Sequence, residues 1–465
     1  MSTEPHRAES HSTEPAHAFS RREALRHSLA AAGGLLLADR LAIGAPPATP
    51  PAAPPAAPKP KLKAKAKAVI QIWLWGGPSH LDTWDPKPEA GYDYCGPLDK
   101  PIATNVDGIR ISELLPLLAK QADKYSIIRS MTHGNDGHET AAYLVQTGRA
   151  PGGRLVFPSV GAVVSLFKGY DAGYQGLIPP YIVLTQPQGR FSEAGFLGPK
   201  YKPFVTGGNP AAAQFVVDGI VAEGISFERQ KARRDLLHNV NSLKQALKDD
   251  PQVVASDQAE KRAYDLILGD EGKVFDLTKE TEEMRLKYGR TFFGQSCMLA
   301  RRLVERGFPY ITINYPGWDT HTNNFAAMRA KLPDMDRAMS SLLEDLSSRG
   351  LLDSTIIWWS GEFGRTPKID WKPPWDGGRH HFGRVFSVVV AGGGFKGGRV
   401  VGSTDARGEN VKDRPVYPCD LIASMYELLG IDPEGTLPHP EGQIVHVAPT
   451  AADGVKMGGR LKEIT

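Results

Sequence analysis

Val69-Ile70-Gln71-Ile72-Trp73-Leu74-Trp75, closed by Gly76-Gly77-Pro78, is an apolar run that stops at turn residues. A strand wetted on one face alternates apolar and polar side chains, whereas a nearly unbroken run suits a strand covered on both faces of a parallel sheet. The pattern recurs at Ser126 to Ser130, Tyr181 to Leu184, Tyr310 to Asn314, Thr355 to Trp359 and Val385 to Val390. Between these runs apolar residues recur at helical spacing in Leu114 to Lys124, Glu139 to Gln146, Phe227 to Lys248, Gly294 to Arg306, Phe325 to Arg349 and Asp420 to Leu429. Alternating buried strands and amphipathic helices predict an α/β fold, a three-layer sandwich around a mostly parallel sheet.

Upstream of the first strand the composition changes. Pro46 to Pro60 is almost purely Pro and Ala, and Lys59 to Lys67 alternates Lys with small residues, so residues 46–67 read as an extended spacer. Before it, Ser20-Arg21-Arg22-Glu23-Ala24-Leu25-Arg26 leads into the moderately apolar stretch Leu29 to Ala45. Residues 1–45 resemble a twin-arginine signal, which implies contact with the twin-arginine export machinery and a periplasmic or extracellular protein. The α/β domain is expected over 68–465. Within it the charged segment near 189–290 fits the strand-helix alternation poorly and reads as a helical insertion, or as helical cover for one sheet face.

The chain has 465 residues with 55 Lys+Arg against 52 Asp+Glu and 41% hydrophobic residues, enough apolar content for a core. A net charge of +3, with its basic excess confined to Lys59 to Lys67, argues against a nucleic-acid partner. No later apolar run reaches 18 residues, so no transmembrane segment is expected in the mature chain. Cys95, Cys297 and Cys419 lie too far apart in sequence to suggest a zinc finger or a disulfide framework.

In open α/β sheets ligands bind beyond the carboxyl ends of strands. Six histidines fall in loops there: His80, His133, His138, His321, His380 and His381, each beside Asp, Glu or Gly. Imidazole and carboxylate together suit divalent ions such as zinc, manganese or iron, and a set drawn from several loops points to hydrolytic metal chemistry. Asp319 and His321 are two apart, so an extended segment points both to one side. Glu362 lies just past an aromatic strand, where an unpaired charge is costly, so it calls for a partner, either a metal ion or Arg365. Arg365, Arg379 and Lys87 are candidates for holding an anionic ester.

The motifs Gly76-Gly77-Pro78-Ser79-His80-Leu81-Asp82-Thr83-Trp84-Asp85, Gly317-Trp318-Asp319-Thr320-His321 and Gly361-Glu362-Phe363-Gly364-Arg365-Thr366-Pro367 resemble those of a large exported, sulfatase-like family of unknown function in the alkaline phosphatase superfamily. The resemblance spans roughly Ala68 to Asp432. It implies a metal-dependent hydrolase of phosphate or sulfate esters, acting on a small or polymeric anionic substrate, or a non-catalytic metal- or ligand-binding protein on the same fold. It implies one or two divalent ions, with zinc, manganese, iron and calcium not distinguished. Asp319, His321 and His381 look like one metal site, with Glu362, His80, Asp82 and His138 as candidates around a second. Phe363 replaces a histidine expected after Glu362. Counting back from Thr147-Gly148-Arg149 places the sulfatase nucleophile near His138, where there is no cysteine. Thr140 is the nearest hydroxyl that can serve as nucleophile, with His138 beside it as a catalytic group; the alternative is His138 as a ligand with water attacking directly.

Overall fold

The computed structural model of the chain describes residues 62–152, 154–187, 193–217 and 271–465, with isolated positions 229, 231, 232, 236 and 269. The expected signal, most of the expected spacer and the helix expected at Phe227 to Lys248 lie wholly or almost wholly outside the described residues. Eight strands form the central sheet: β1 (Ala68–Trp73), β2 (Tyr125–Met131), β3 (Tyr181–Leu184), β4 (Phe204–Val205), β5 (Tyr310–Asn314), β6 (Thr355–Ser360), β7 (Phe386–Ala391) and β8 (Arg399–Val401). Their order is β8-β2-β7-β6-β1-β5-β3-β4. All neighbours are parallel except β7, which runs antiparallel to both β2 and β6.

Five helices cover this sheet: α1 (His138–Thr147), α2 (Val160–Lys168), α3 (Phe292–Glu305), α4 (Asn324–Ser348) and α5 (Pro418–Leu428). Side chains alternate across a strand, so β1 feeds both faces. Ile70 and Ile72 pack with Met298 and Leu303 of α3 and Leu332 and Met335 of α4. Val69 and Trp73 pack with Val145 of α1, Val163 of α2 and Met425 of α5. Every residue of β1 is buried, which accounts for its unbroken apolar run. The layers are therefore helix, sheet, helix, as expected from the alternation.

Some local expectations need correction. Leu114 to Lys124 is a short helix, Pro116–Ala119, followed by the 3-10 turn Ala122–Lys124, rather than one continuous helix. Helix α2 and the edge strands β4 and β8 were not anticipated. Near 189–290 the described part adds β4 to the sheet edge and ends in a short helix, Glu282–Tyr288. The end of the spacer is tied down: Lys65 N and Ala66 N donate to Leu428 O at 2.8 Å, Lys67 N donates to Ser354 O at 2.7 Å, and Ala66 is fully buried. Among the described residues no helix is long and apolar enough to cross a membrane.

Candidate metal centre

Strands β1, β2, β5 and β6 are mutually parallel, so the loops after them open at one edge of the sheet. They carry Gly76, His138, Asp319 with His321, and Glu362. Because β7 runs the other way, the segment leading into it begins at that same edge, and it carries His380 and His381. A small antiparallel ribbon pairs His381 with Arg365 and Phe382 with Gly364. The loop after β1 lies against the β5 loop so closely that a Cβ on Gly76 would sit 2.2 Å from Asp319 N, and Gly76 has φ +111°. Only glycine fits both conditions.

At this edge His138, Asp319 and His381 each offer a ligand atom, all within 4.8 Å of one another. His138 Nε2 lies 3.4 Å from Asp319 Oδ2, and His381 Nε2 lies 3.2 Å from Asp319 Oδ1. His321 Nε2 adjoins the group, 3.1 Å from Asp319 Oδ1 and 2.8 Å from His381 Nε2. The Asp319 side chain is 43% exposed, so the cluster opens to solvent. Buried Arg365 pairs with Asp319 Oδ1 and donates to the carbonyls of Gly76 and Gly77, tying the carboxylate to the β1 loop. Burial raises the Asp319 carboxyl, but the hydrogen bond and charge of Arg365, with His138 and His321 nearby, bring it down to about 2. Asp319 is thus ionised at any physiological pH.

The far side of each imidazole assigns its proton. His138 Nδ1 donates to Glu362 Oε1 at 2.6 Å, since a carboxylate oxygen only accepts. That hydrogen bond raises the His138 pKa, against the opposing effect of burial. His381 Nδ1 donates to the Asp136 carbonyl at 2.8 Å. In their neutral forms both rings therefore carry their proton outward and turn an Nε2 lone pair toward Asp319. A partner that holds the outer N–H of a ligating histidine is the usual support of a metal site. Phe363 is fully buried and lies beneath two of the rings, its centroid 5.0 Å from His138 and 4.6 Å from His381. Trp75 also stacks on His138 at 5.9 Å. Nitrogen donors with one carboxylate, open on one side, fit a borderline divalent ion.

The structure places several expected site residues away from this cluster. Glu362 is fully buried and accepts from Gly76 N at 2.9 Å as well as from His138, so it orients the His138 ring instead of facing the cluster. His80 is fully buried with Nε2 on the Gly408 carbonyl at 2.9 Å, and burial lowers its pKa to about 4. Asp82 and Arg379 form a buried two-point ion pair, Oδ2 to Nε at 2.8 Å and Oδ1 to Nη2 at 2.9 Å. Arg379 also donates to the carbonyls of Thr366, Pro367 and Tyr94, which engages all five of its N–H groups and leaves none for a substrate. Lys87 pairs with buried Asp85 at 3.0 Å. The Thr140 hydroxyl, in the first turn of α1, hydrogen-bonds back to the preceding loop, to Asn135 Oδ1 at 2.8 Å and Gly137 O at 3.2 Å. His133 donates to the Glu362 carbonyl at 2.7 Å and accepts from Asn135 N, holding the loop that carries Glu362.

Two participants escaped the sequence reading. Asp136 acts through its backbone carbonyl, which has no sequence signature. Asp370 lies 3.3 Å from His380 Nε2, and His380 Nδ1 is 3.0 Å from His321 Nδ1. The spacing of Asp370 and His380 suggests nothing by itself, because a reversal of the chain between them brings them together.

Fold and site together define an α/β protein with a metal-competent His/Asp cluster at the carboxyl edge of its sheet. The chain belongs to the family described as "Protein of unknown function (DUF1501)", whose family model matches residues 66–455. No curated protein matches it. Among solved structures it is similar to the lipoteichoic acid synthase LtaP from Listeria monocytogenes, at TM-score 0.37 and 8% identity over 83% of this chain and 75% of that one. It is also similar to the PsFucS1 sulfatase from Pseudoalteromonas sp., at TM-score 0.35 and 15% identity over 80% and 68%. A third is a protein in the alkaline phosphatase superfamily from Vibrio parahaemolyticus, at TM-score 0.36 and 11% identity over 79% and 67%.

Proposed function

We propose that the protein is an exported metal-dependent hydrolase of phosphate or sulfate esters, with His138, Asp319, His381 and His321 holding one divalent ion. One observation carries the metal reading: imidazole Nε2 atoms converge on an ionised carboxylate while the outer nitrogens of His138 and His381 are tied to acceptors behind them. A nitrogen-rich set favours zinc, manganese or iron over calcium, which prefers oxygen ligands. Such an ion supplies Lewis acidity toward an ester oxygen and toward water. The chain's own part is to fix the cluster: Glu362 orients His138, the Asp136 carbonyl orients His381, and Arg365 anchors Asp319. Thr140 is turned into its loop, so the reading assigns attack to water rather than to Thr140.

A second reading, a non-catalytic metal-binding protein on this fold, is favoured by the commitment of Lys87 and Arg379 to buried carboxylates. Metal analysis of the purified protein, followed by a screen against phosphate and sulfate esters, separates the two. Asp319→Ala and His381→Ala should each lower bound metal. Metal-replete wild-type protein without turnover on any ester class would leave the binding reading, and protein that takes up no zinc, manganese or iron would defeat both. The domain plan proposed with this function keeps residues 1–45 as a twin-arginine signal and 46–67 as the spacer. Arg21→Lys with Arg22→Lys should hold the protein in the cytoplasm, and unchanged export would remove the targeting claim.

A further inference from the structure

His138 and His381 have obligate acceptors behind them, a carboxylate and a carbonyl, but His321 does not. Its Nδ1 faces another imidazole, His380 Nδ1, at 3.0 Å. An imidazole nitrogen can donate or accept, so His380 alone leaves the state of His321 undecided. Asp370 resolves it. Its Oδ2 lies 3.3 Å from His380 Nε2 and can only accept, so His380 carries its proton on Nε2 and presents a lone pair at Nδ1. His321 then donates from Nδ1, and its Nε2 lone pair faces Asp319 and His381. Two lone pairs 2.8 Å apart, on His321 and His381, repel each other unless a proton or a metal ion lies between them.

The surrounding chain is built to hold this line of groups. Asp370 N donates to Gly378 O and Gly377 N donates to Asp370 O, each at 3.0 Å, closing the loop that carries the carboxylate. His380 N donates to Thr366 Oγ1 at 3.0 Å, and Trp375 packs edge-on to the His380 ring at 4.8 Å. Gly378 lies so near the β5 loop that a Cβ there would be 1.7 Å from His321 O, and Arg379 N donates to Thr320 O at 3.0 Å. The segments bearing His321 and His380 are thereby locked side by side.

We infer that Asp370 is a positioning residue for the metal centre, acting through the one intervening side chain of His380 to fix His321 as an Nε2 ligand. The inference rests on the metal reading above and adds residues to it. Outer partners of ligating histidines commonly change metal affinity about 10- to 100-fold when removed. In full-length protein, Asp370→Ala should weaken zinc binding by about that factor, read by competition with a chromophoric chelator, whereas Asp370→Asn, which keeps an acceptor oxygen, should stay within about threefold of wild type. Histidine side-chain nitrogen NMR should show His321 protonated at Nδ1 in wild type. Equal zinc affinity in Asp370→Ala and wild type would overturn the inference, as would an Asn variant as damaged as the Ala variant. The NMR experiment reads wild type alone and needs neither variant to fold nor metal to be bound: a His321 whose Nδ1 bears no proton refutes the relay. Wild type that binds no zinc defeats the metal reading instead, which keeps the two failures apart.

Discussion

Replacing Arg379 by Met tests whether this guanidinium holds the fold or a substrate. The side chain is fully buried, and all five of its donors are engaged by Asp82 and by the carbonyls of Thr366, Pro367 and Tyr94. Without it Asp82 stays buried at 1% exposure with Asn324 Nδ2, at 2.8 Å, as its remaining side-chain donor. Removing one partner of a buried ion pair costs about 3–5 kcal/mol. An unfolding entropy of about 2.1 cal/mol/K per residue, over roughly 400 residues, comes to ~0.8 kcal/mol/K, so the melting temperature should fall by about 4–6 °C. Adding Asp82→Asn removes the stranded charge, so the double variant should melt above Arg379→Met, and calorimetry reads both. An Arg379→Met protein that melts with wild type but loses affinity for anionic esters would refute the structural role and restore Arg379 to the substrate.

Three further outcomes follow from particular contacts. His80 titrates near 4 in the fold because burial disfavours its cation, against 6.5 when unfolded; its contribution is complete above pH 6.5 and is lost as the pH falls toward 4. That is worth about 3 kcal/mol, so urea midpoints should drop over this window, and less so in His80→Leu. A Gly378→Ala side chain cannot fit 1.7 Å from His321 O, so the β5 loop must move and bound metal should fall; a variant with full metal content would show that the loop yields without cost to the site. Deleting Pro46 to Leu62 should leave the melting temperature unchanged, whereas extending the deletion through Lys67 removes buried Ala66 and the hydrogen bonds to Leu428 and Ser354, and should lower it.

The strands were the most legible part of the sequence, because burial on both faces writes itself as continuous apolar residues. Tyr181–Leu184 and Tyr310–Asn314 stand where the runs placed them. Helix α2 was missed although Ser159 caps it, since Val160 to Leu166 is apolar on every side and gives no periodicity to read. The histidines show a different limit. His80 and His381 look alike in sequence, each in a loop two residues from Gly or Asp, yet one is locked in the interior on Gly408 and the other points its Nε2 at Asp319. What separates them is the direction of β7, which returns His381 to the edge where β5 ends. Strand direction is a property of the whole sheet, and no local pattern encodes it.

The same reasoning bears on how many ions the site takes. A second centre would need ligands from Glu362, His80 and Asp82, and each is committed: Glu362 to Gly76 and His138, His80 to Gly408, Asp82 to Arg379 and Asn324. Phe363 stands where the resemblance expects a further histidine, and its ring supports His138 and His381 without offering a donor atom. Among the described residues His138, Asp319 and His381 are the one convergent group of this kind. Zinc titrated into metal-free protein should therefore saturate at a single tight equivalent, with His321 strengthening that site and creating no other. Two tight equivalents per chain would require Glu362 or Asp82 to release its buried partner, and would refute the single-ion assignment along with the structural role given to the Asp82 and Arg379 pair.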